Sequence, residues 1–106
     1  LLAPRSVAVI GATETEGRVG RAVLENLKAF KGKVYPVNPN RASVLGVPAF
    51  PRVSLLPEVP DVVVIATPAE TVPALVRECA QAGVAGAVEV GKGPLAFGAC
   101  VGAAGS

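Results

Sequence analysis

The segment running from Ser6 to Gly20 constrains the fold of this chain more than any other. Its sequence, SVAVIGATETEGRVG, joins an apolar run to a polar loop with glycines, and an amphipathic stretch begins at Val19. A buried strand, a glycine turn and a helix N-terminus in this order direct backbone N–H groups and the positive end of a helix dipole at an anion. The segment therefore predicts an α/β domain with a phosphate-binding loop.

The spacing of the glycines differs from the dinucleotide fingerprint. In G-x-G-x-x-G a single residue separates the first two glycines, whereas five residues separate Gly11 from Gly17. We expect Gly11 to turn the chain off the strand and Gly17 to let the backbone approach a ligand. Gly20 should let the helix pack closely on the sheet. The wide loop favours a nucleotide other than NAD.

Composition limits the class of protein. A chain of 106 residues that is 51% hydrophobic and 17% charged predicts one compact domain, and a net charge of +2 does not indicate a nucleic-acid partner. No apolar run approaches the roughly 20 residues that span a bilayer. Two cysteines without metal-site spacing favour the cytoplasm. Because histidine is absent, we predict no catalytic or metal-binding residue. Because methionine is absent as well, we interpret the chain as a domain of a longer or processed protein.

Apolar periodicity predicts alternating strands and helices. The predicted strands are residues 7–10, 33–38, 61–66 and 86–90, the second near a sheet edge because of Pro36. A helix over 19–30 should end at Gly32, and one from residue 72 should end at Gly83. The predicted core faces are Val19, Ala22, Val23, Leu27 and Phe30 in the first helix and Val72, Leu75, Val76, Cys79 and Ala80 in the second. A short extended piece at 47–51 and one helical turn at 54–57 lie between. This pattern is typical of a Rossmann-like, three-layer α/β domain with a mostly parallel sheet.

The loops that follow the predicted strands should meet. They cover residues 13–17, 38–41, 67–68 and 89–92, and ligands of open α/β sheets bind outside the carboxyl ends of the strands. Any one of these loops would be polar without a ligand as well. Their convergence is what predicts a binding pocket.

The order of several segments resembles a known family. PRSVAVIGAT, GRVGRAVLENL, KVYPVNPN and the stretch from LGVPAFPRV to AQAGVAGAV are similar to the CoA-binding domain of ADP-forming acyl-CoA (acetyl-CoA) synthetases over about residues 2–90. More distantly, they resemble the succinyl-CoA synthetase alpha subunit and the first domain of some bacterial protein acetyltransferases. The resemblance implies a Rossmann-like domain over residues 1–94 that binds coenzyme A or acyl-CoA, with further ligase domains or subunits as partners. The Ala/Gly-rich tail, 95–106, stays unassigned.

The resemblance and the converging loops together give the candidate coenzyme A contacts. Since Glu14 and Glu16 would repel phosphate, contacts in the first loop should come from backbone N–H groups. Arg41 is a candidate for the ribose 3′-phosphate, because a guanidinium grips phosphate bidentately, or else a solvated turn residue. The thiol end of the ligand would meet the segment after the last strand. The complete set is Gly11, Thr13, Glu14, Thr15, Glu16, Gly17, Arg18, Asn38, Asn40, Arg41, Thr67, Pro68, Glu89, Val90 and Gly91.

Two other functions remain open at this point. An NAD(P)-binding domain of an oxidoreductase needs a tight glycine turn and an acidic residue at the end of the second strand. Here that strand ends in Val37-Asn38-Pro39-Asn40, which carries no carboxylate, although Arg41 is compatible with NADP. A domain used only for subunit contact is the third alternative. The family's phosphoryl-carrying histidine lies in a later domain, so this chain by itself cannot complete a ligase cycle.

Overall fold

The computed structural model describes residues 5–90 and 93–94 of the chain. In chain order the elements are β1 (Ser6–Ile10), α1 (Val19–Asn26), β2 (Lys33–Val37), β3 (Ser43–Val44), β4 (Val47–Pro48), β5 (Val62–Ile65), α2 (Val72–Ala82), β6 (Gly86–Glu89) and β7 (Gly93–Pro94). The main sheet has the strand order β2-β1-β5-β6-β7, in which the first four strands are parallel and β7 is antiparallel to β6. The predicted α/β class with a mostly parallel sheet is confirmed. The prediction that the strand at 86–90 is the last one is wrong, because β7 follows it.

The sheet buries both of its faces, which gives three layers. Successive side chains of a strand point to opposite faces, so β1 contributes to two hydrophobic cores. The buried core on the α2 side consists of Ala8, Ile10, Val37, Val53, Val63, Ile65, Cys79, Val84 and Ala87. The core on the α1 side consists of Val9, Ala12, Leu24 and Val44. Burial on both faces explains the continuous apolar runs of the parallel strands.

The first helix differs from the prediction in its length and in its buried face. It ends at Asn26, and a 3₁₀ turn follows over Leu27–Ala29. Val19 is 48% exposed and Ala22 is exposed as well, whereas Gly20 and Leu24 are buried. The helix approaches the sheet through Gly20, a residue that has no side chain to mark it as part of the apolar face. The predicted face is therefore wrong at its first two positions.

Gly32 does not cap this helix. The residue at the helix C-cap is Leu27, in a right-handed conformation, and the C-cap residue of the following 3₁₀ turn is Phe30. At Gly32 an added Cβ would overlap the carbonyl oxygen of Arg5 and the ring of Phe30. A close approach of two backbone segments, rather than a helix end, requires glycine here.

The second strand lies at an edge of the main sheet, as Pro36 predicts. Part of its outer side is covered by Phe50, whose N–H donates to the carbonyl oxygen of Pro36 at 3.0 Å. The ring of Tyr35 meets that of Phe50 edge to face, with 6.0 Å between centroids. The hydroxyl of Tyr35 donates to the Glu58 carboxylate, and this bond, reinforced by burial, raises the pKa of Tyr35 to about 12.

The second helix follows the prediction closely. Pro73 lies in its first turn, and Gly83 ends it in the left-handed conformation with φ +89°. Cys79 is fully buried against the sheet, and burial raises the pKa of its thiol to about 11. Ala80 is exposed, so the predicted core face is wrong at this position. Within residues 5–90 and 93–94, no helix has the length and apolar character needed to cross a bilayer.

Candidate functional site

The loop after β1 is held by its own hydrogen bonds. Gly11 turns the chain at φ +88°, and its N–H donates to the carbonyl oxygen of Val37 at 3.1 Å. The N–H of Thr15 donates to the Thr13 hydroxyl at 3.1 Å, which closes a compact turn within the loop. The loop between the strand and α1 is therefore shaped before any ligand arrives.

Gly17 and Gly20 do different things in this loop. Gly17 has φ +83°, and a Cβ added there would meet no atom within 4 Å, so its backbone faces open space. A Cβ on Gly20 would instead overlap the carbonyl oxygen of Gly11. Gly20 therefore allows α1 to begin directly against the turn, and Gly17 leaves the backbone accessible.

A cavity of about 600 Å³ opens beside the loop, and we call it the loop cavity. One wall is the glycine loop with the start of α1, and the other is the turn after β5. Arg18, the helix N-cap residue, makes no capping bond with its side chain, and the first turn carries no acidic residue. The lining residues are Gly11, Thr13, Thr15, Gly17, Arg18, Val19, Gly20, Ala66, Thr67 and Pro68.

A second cavity of about 550 Å³ adjoins the first, and we call it the strand-end cavity. The two share Gly11 and Thr67, so they lie side by side along the carboxyl ends of β1, β2 and β5, and we call the pair the crevice. The strand-end cavity is mostly apolar with a few polar groups. Its lining residues are Ile10, Gly11, Val37, Asn38, Pro39, Asn40, Pro51, Arg52, Val53, Thr67, Thr71, Leu75 and Glu78.

The polar side chains of Thr67, Thr71 and Glu78 find some of their hydrogen-bond partners within the protein. The hydroxyls of Thr67 and Thr71 lie 2.6 Å apart, and Thr71 can also donate to the carbonyl oxygen of Pro68. One carboxylate oxygen of Glu78, Oε2, is covered and accepts no hydrogen bond from the part of the chain that the structure describes. The Arg52 guanidinium lies 3.5 Å from that oxygen, but its side chain is 66% exposed, so the ion pair compensates it weakly.

The turn after β2 is tied to the glycine loop. The side-chain amide of Asn38 donates to the carbonyl oxygen of Ala12 at 2.8 Å, and its oxygen accepts the N–H of Asn40 at 2.7 Å. Asn38 therefore braces the crevice with its side chain, whereas Asn40 is exposed at the rim.

Glu14 and Arg41 lie outside both cavities. One oxygen of the Glu14 carboxylate accepts the backbone N–H of Leu45 at 2.7 Å, and the other lies 3.7 Å from the Arg41 guanidinium. Glu16 is exposed and lines neither cavity. Neither loop glutamate therefore lines the crevice.

The structure brings together most of the predicted site residues. Those in the walls of the crevice are Gly11, Thr13, Thr15, Gly17, Arg18, Asn38, Asn40, Thr67 and Pro68. Glu89 is buried at the end of β6, and the N–H of Val90 donates to the carbonyl oxygen of Ile65 at 3.0 Å; neither residue lines the two cavities. Gly91 lies outside the described residues.

Sequence reasoning missed the far wall of the strand-end cavity. This wall comes from Arg52 and Val53 after the hairpin, from Thr71, and from Leu75 and Glu78 of α2. Thr71 could have been found, since it is a polar residue between the end of β5 and the start of a helix. Leu75 lies on the apolar face of α2, which predicts a core position equally well.

Comparison with known proteins identifies the family. The family model of the CoA binding domain matches residues 5–92. The chain is 45% identical over 93 residues to ADP-forming acetate–CoA ligase I of Archaeoglobus fulgidus, covering 88% of this chain and 14% of that relative. The chain therefore spans only a small part of that curated relative.

Solved structures agree with this assignment. Acetyl-coenzyme A synthetase 1 of Candidatus Korarchaeum cryptofilum, in complex with phosphate and ADP, superposes with a TM-score of 0.80 at 39% identity, over 85% of this chain and 20% of that one. A conserved hypothetical protein of Pyrococcus furiosus gives a TM-score of 0.80 at 26% identity, over 95% of this chain and 88% of that one. The predicted resemblance and the predicted cofactor, coenzyme A, are confirmed. The chain belongs to the CoA binding domain family and is homologous to the corresponding domain of ADP-forming acetyl-CoA synthetases.

Proposed function

We propose that this chain binds coenzyme A with its pyrophosphate against the backbone of the glycine loop. The observation that carries the proposal is the loop cavity, which the open backbone of Gly17 and the first turn of α1 both face. A helix N-terminus without acidic residues or a side-chain cap offers N–H groups and a dipole, which together stabilise an anion by about 0.3–1 kcal/mol. The side chain of Glu14 is turned away, so it does not oppose the phosphates there.

The adjoining strand-end cavity suits the nucleoside part of the ligand. Small-molecule sites are mostly apolar with a few polar groups that fix orientation, and this cavity has that character. An elongated ligand that fills both cavities would pass Thr67, which both share. We place the pantetheine arm along Thr67 and Pro68 and its thiol end toward Glu89 and Val90; the third predicted contact there, Gly91, lies outside the described residues.

Arg41 would meet the ribose 3′-phosphate at the rim of the crevice. It follows the Asn38–Asn40 turn at the carboxyl end of β2, the region that contacts the ribose in dinucleotide domains. Its side chain is 46% exposed and its guanidinium pairs loosely with Glu14 at 3.7 Å, so the guanidinium can take a stronger anionic partner.

For the whole protein we propose a ligase context. The relatives of this family include acetate–CoA ligases, and with no histidine this chain would hold coenzyme A for a reaction completed by other domains or subunits. A free-standing CoA-binding protein is the second candidate. It is supported by the Pyrococcus furiosus protein, which matches this chain over 88% of its own length.

Calorimetry on a pair of glycine variants tests the role of the loop. Gly17→Val should abolish coenzyme A binding, because a branched side chain at a positive φ would distort the backbone that faces the cavity. Gly83→Val is the matched control: its φ is +89°, its added Cβ also meets no atom within 4 Å, and it lines neither cavity. The control should bind like the wild type. Equal affinity of wild type and Gly17→Val would show that the loop is not the site.

A further inference from the structure

Glu14 connects the glycine loop to the β3–β4 hairpin. It belongs to the glycine loop, yet its Oε2 accepts the N–H of Leu45, 31 residues further on, at 2.7 Å. Leu45 and Gly46 form the turn of the β3–β4 hairpin, with φ values of +51° and +80°. In a turn of this type the N–H of its first central residue has no partner in the strand ladder. Glu14 supplies that partner and so fixes the loop to the hairpin.

The second oxygen of the same carboxylate acts on Arg41. Oε1 lies 3.7 Å from the guanidinium, and the two side chains are 40% and 46% exposed. An exposed pair at this distance is weak. It nevertheless places a negative charge beside the one cation that our proposed function assigns to the 3′-phosphate. The phosphate and Glu14 therefore compete for the same guanidinium.

We propose that Glu14 is a specificity-determining residue that lowers the preference of this site for ligands with a 3′-phosphate. The inference rests on the proposed function, since it takes Arg41 as the group that contacts that phosphate. The two roles of Glu14 are separable. A glutamine keeps an oxygen for the Leu45 N–H but removes the charge, whereas an alanine removes both.

Calorimetry with coenzyme A and dephospho-coenzyme A tests this inference. In Glu14→Gln the ratio of the two affinities should shift toward coenzyme A by about two- to fivefold, the size expected for an exposed ion pair. Glu25→Gln is the control for loss of charge, because it also removes a carboxylate that is paired with an arginine, at 2.9 Å from Arg21, and lines neither cavity. Its ratio should equal that of the wild type. Glu14→Ala should weaken the binding of both ligands, because it also removes the hydrogen bond that holds the hairpin to the loop.

The double variant Glu14→Gln/Arg41→Ala shows whether the effect passes through Arg41. Its affinity ratio should equal that of Arg41→Ala alone. An unchanged or lowered ratio in Glu14→Gln overturns the inference, as does an equal rise in Glu25→Gln or a rise that persists without Arg41. These failures differ from failure of the proposed function, in which the wild type binds neither ligand or Arg41→Ala leaves the ratio of the wild type unchanged.

Discussion

Two polar side chains beside the crevice, Asn38 and Glu14, bind the protein's own backbone. The amide of Asn38 holds the Ala12 carbonyl oxygen, and the carboxylate of Glu14 holds the Leu45 N–H. Such bonds shape the site from within the protein, and each of them uses part of the hydrogen-bonding capacity of its side chain. At the scale of single residues, our proposal assigns recognition of phosphate to backbone N–H groups and to the partly exposed side chain of Arg41.

Replacement of Arg41 by alanine tests this division of roles. A hydrogen bond to a charged group is worth about 1.5–3 kcal/mol, and the lower end applies because Arg41 is 46% exposed. Arg41→Ala should therefore lower the affinity for coenzyme A by about tenfold and leave the affinity for dephospho-coenzyme A unchanged. Calorimetric titration with the two ligands measures both values. An equal loss for both would mean that Arg41 shapes the turn, and no loss for either would make it a solvated surface residue.

At the scale of elements, the fold depends on how closely α1 approaches the end of β1. Gly20 lies so near the Gly11 carbonyl oxygen that no side chain fits between them. The same contact sets which face of α1 is buried and directs its first turn at the loop cavity. Gly20 therefore determines both the packing of α1 and the geometry of the site.

An added methyl group at Gly20 should be destabilising. Gly20→Ala forces the helix off the loop, and overpacking of this kind costs about 1–3 kcal/mol of unfolding free energy. Gly86→Ala in β6 is the control, because a Cβ there meets no atom within 4 Å and its φ is not positive. Urea unfolding followed by circular dichroism measures both variants. A Gly20→Ala protein as stable as Gly86→Ala would contradict the close packing.

The sequence predicts the elements better than it predicts their faces. The four parallel strands, the edge position of β2 and the cap at Gly83 follow from local signals: an apolar run, a proline, and a glycine after an amphipathic stretch. The buried face of α1 does not, because Val19 is apolar yet exposed and Gly20 has no side chain yet lies in the contact. Hydrophobic periodicity depends on side chains, so it does not predict a contact that is made by backbone atoms.

At the scale of the whole molecule, the crevice unites segments that are distant in sequence. Three of the four predicted loops contribute to it, because the carboxyl ends of β1, β2 and β5 lie side by side. Its far wall, with Val53 and Leu75, could not be predicted, since the packing of α2 against the 3₁₀ turn at Val53–Leu55 is a tertiary contact without a local signal. The domain boundary at residue 94 and a cytoplasmic location stay predictions.

The most direct test of the account is a comparison of coenzyme A with NADH on the wild-type chain. The wide loop and the absence of a carboxylate after β2 favour coenzyme A, which at about 100 times its Kd should raise the unfolding free energy by roughly 2.7 kcal/mol. NADH at the same concentration should leave it unchanged. Urea unfolding with each ligand, supported by calorimetry, gives both values. Stabilisation by NADH without stabilisation by coenzyme A would contradict the account.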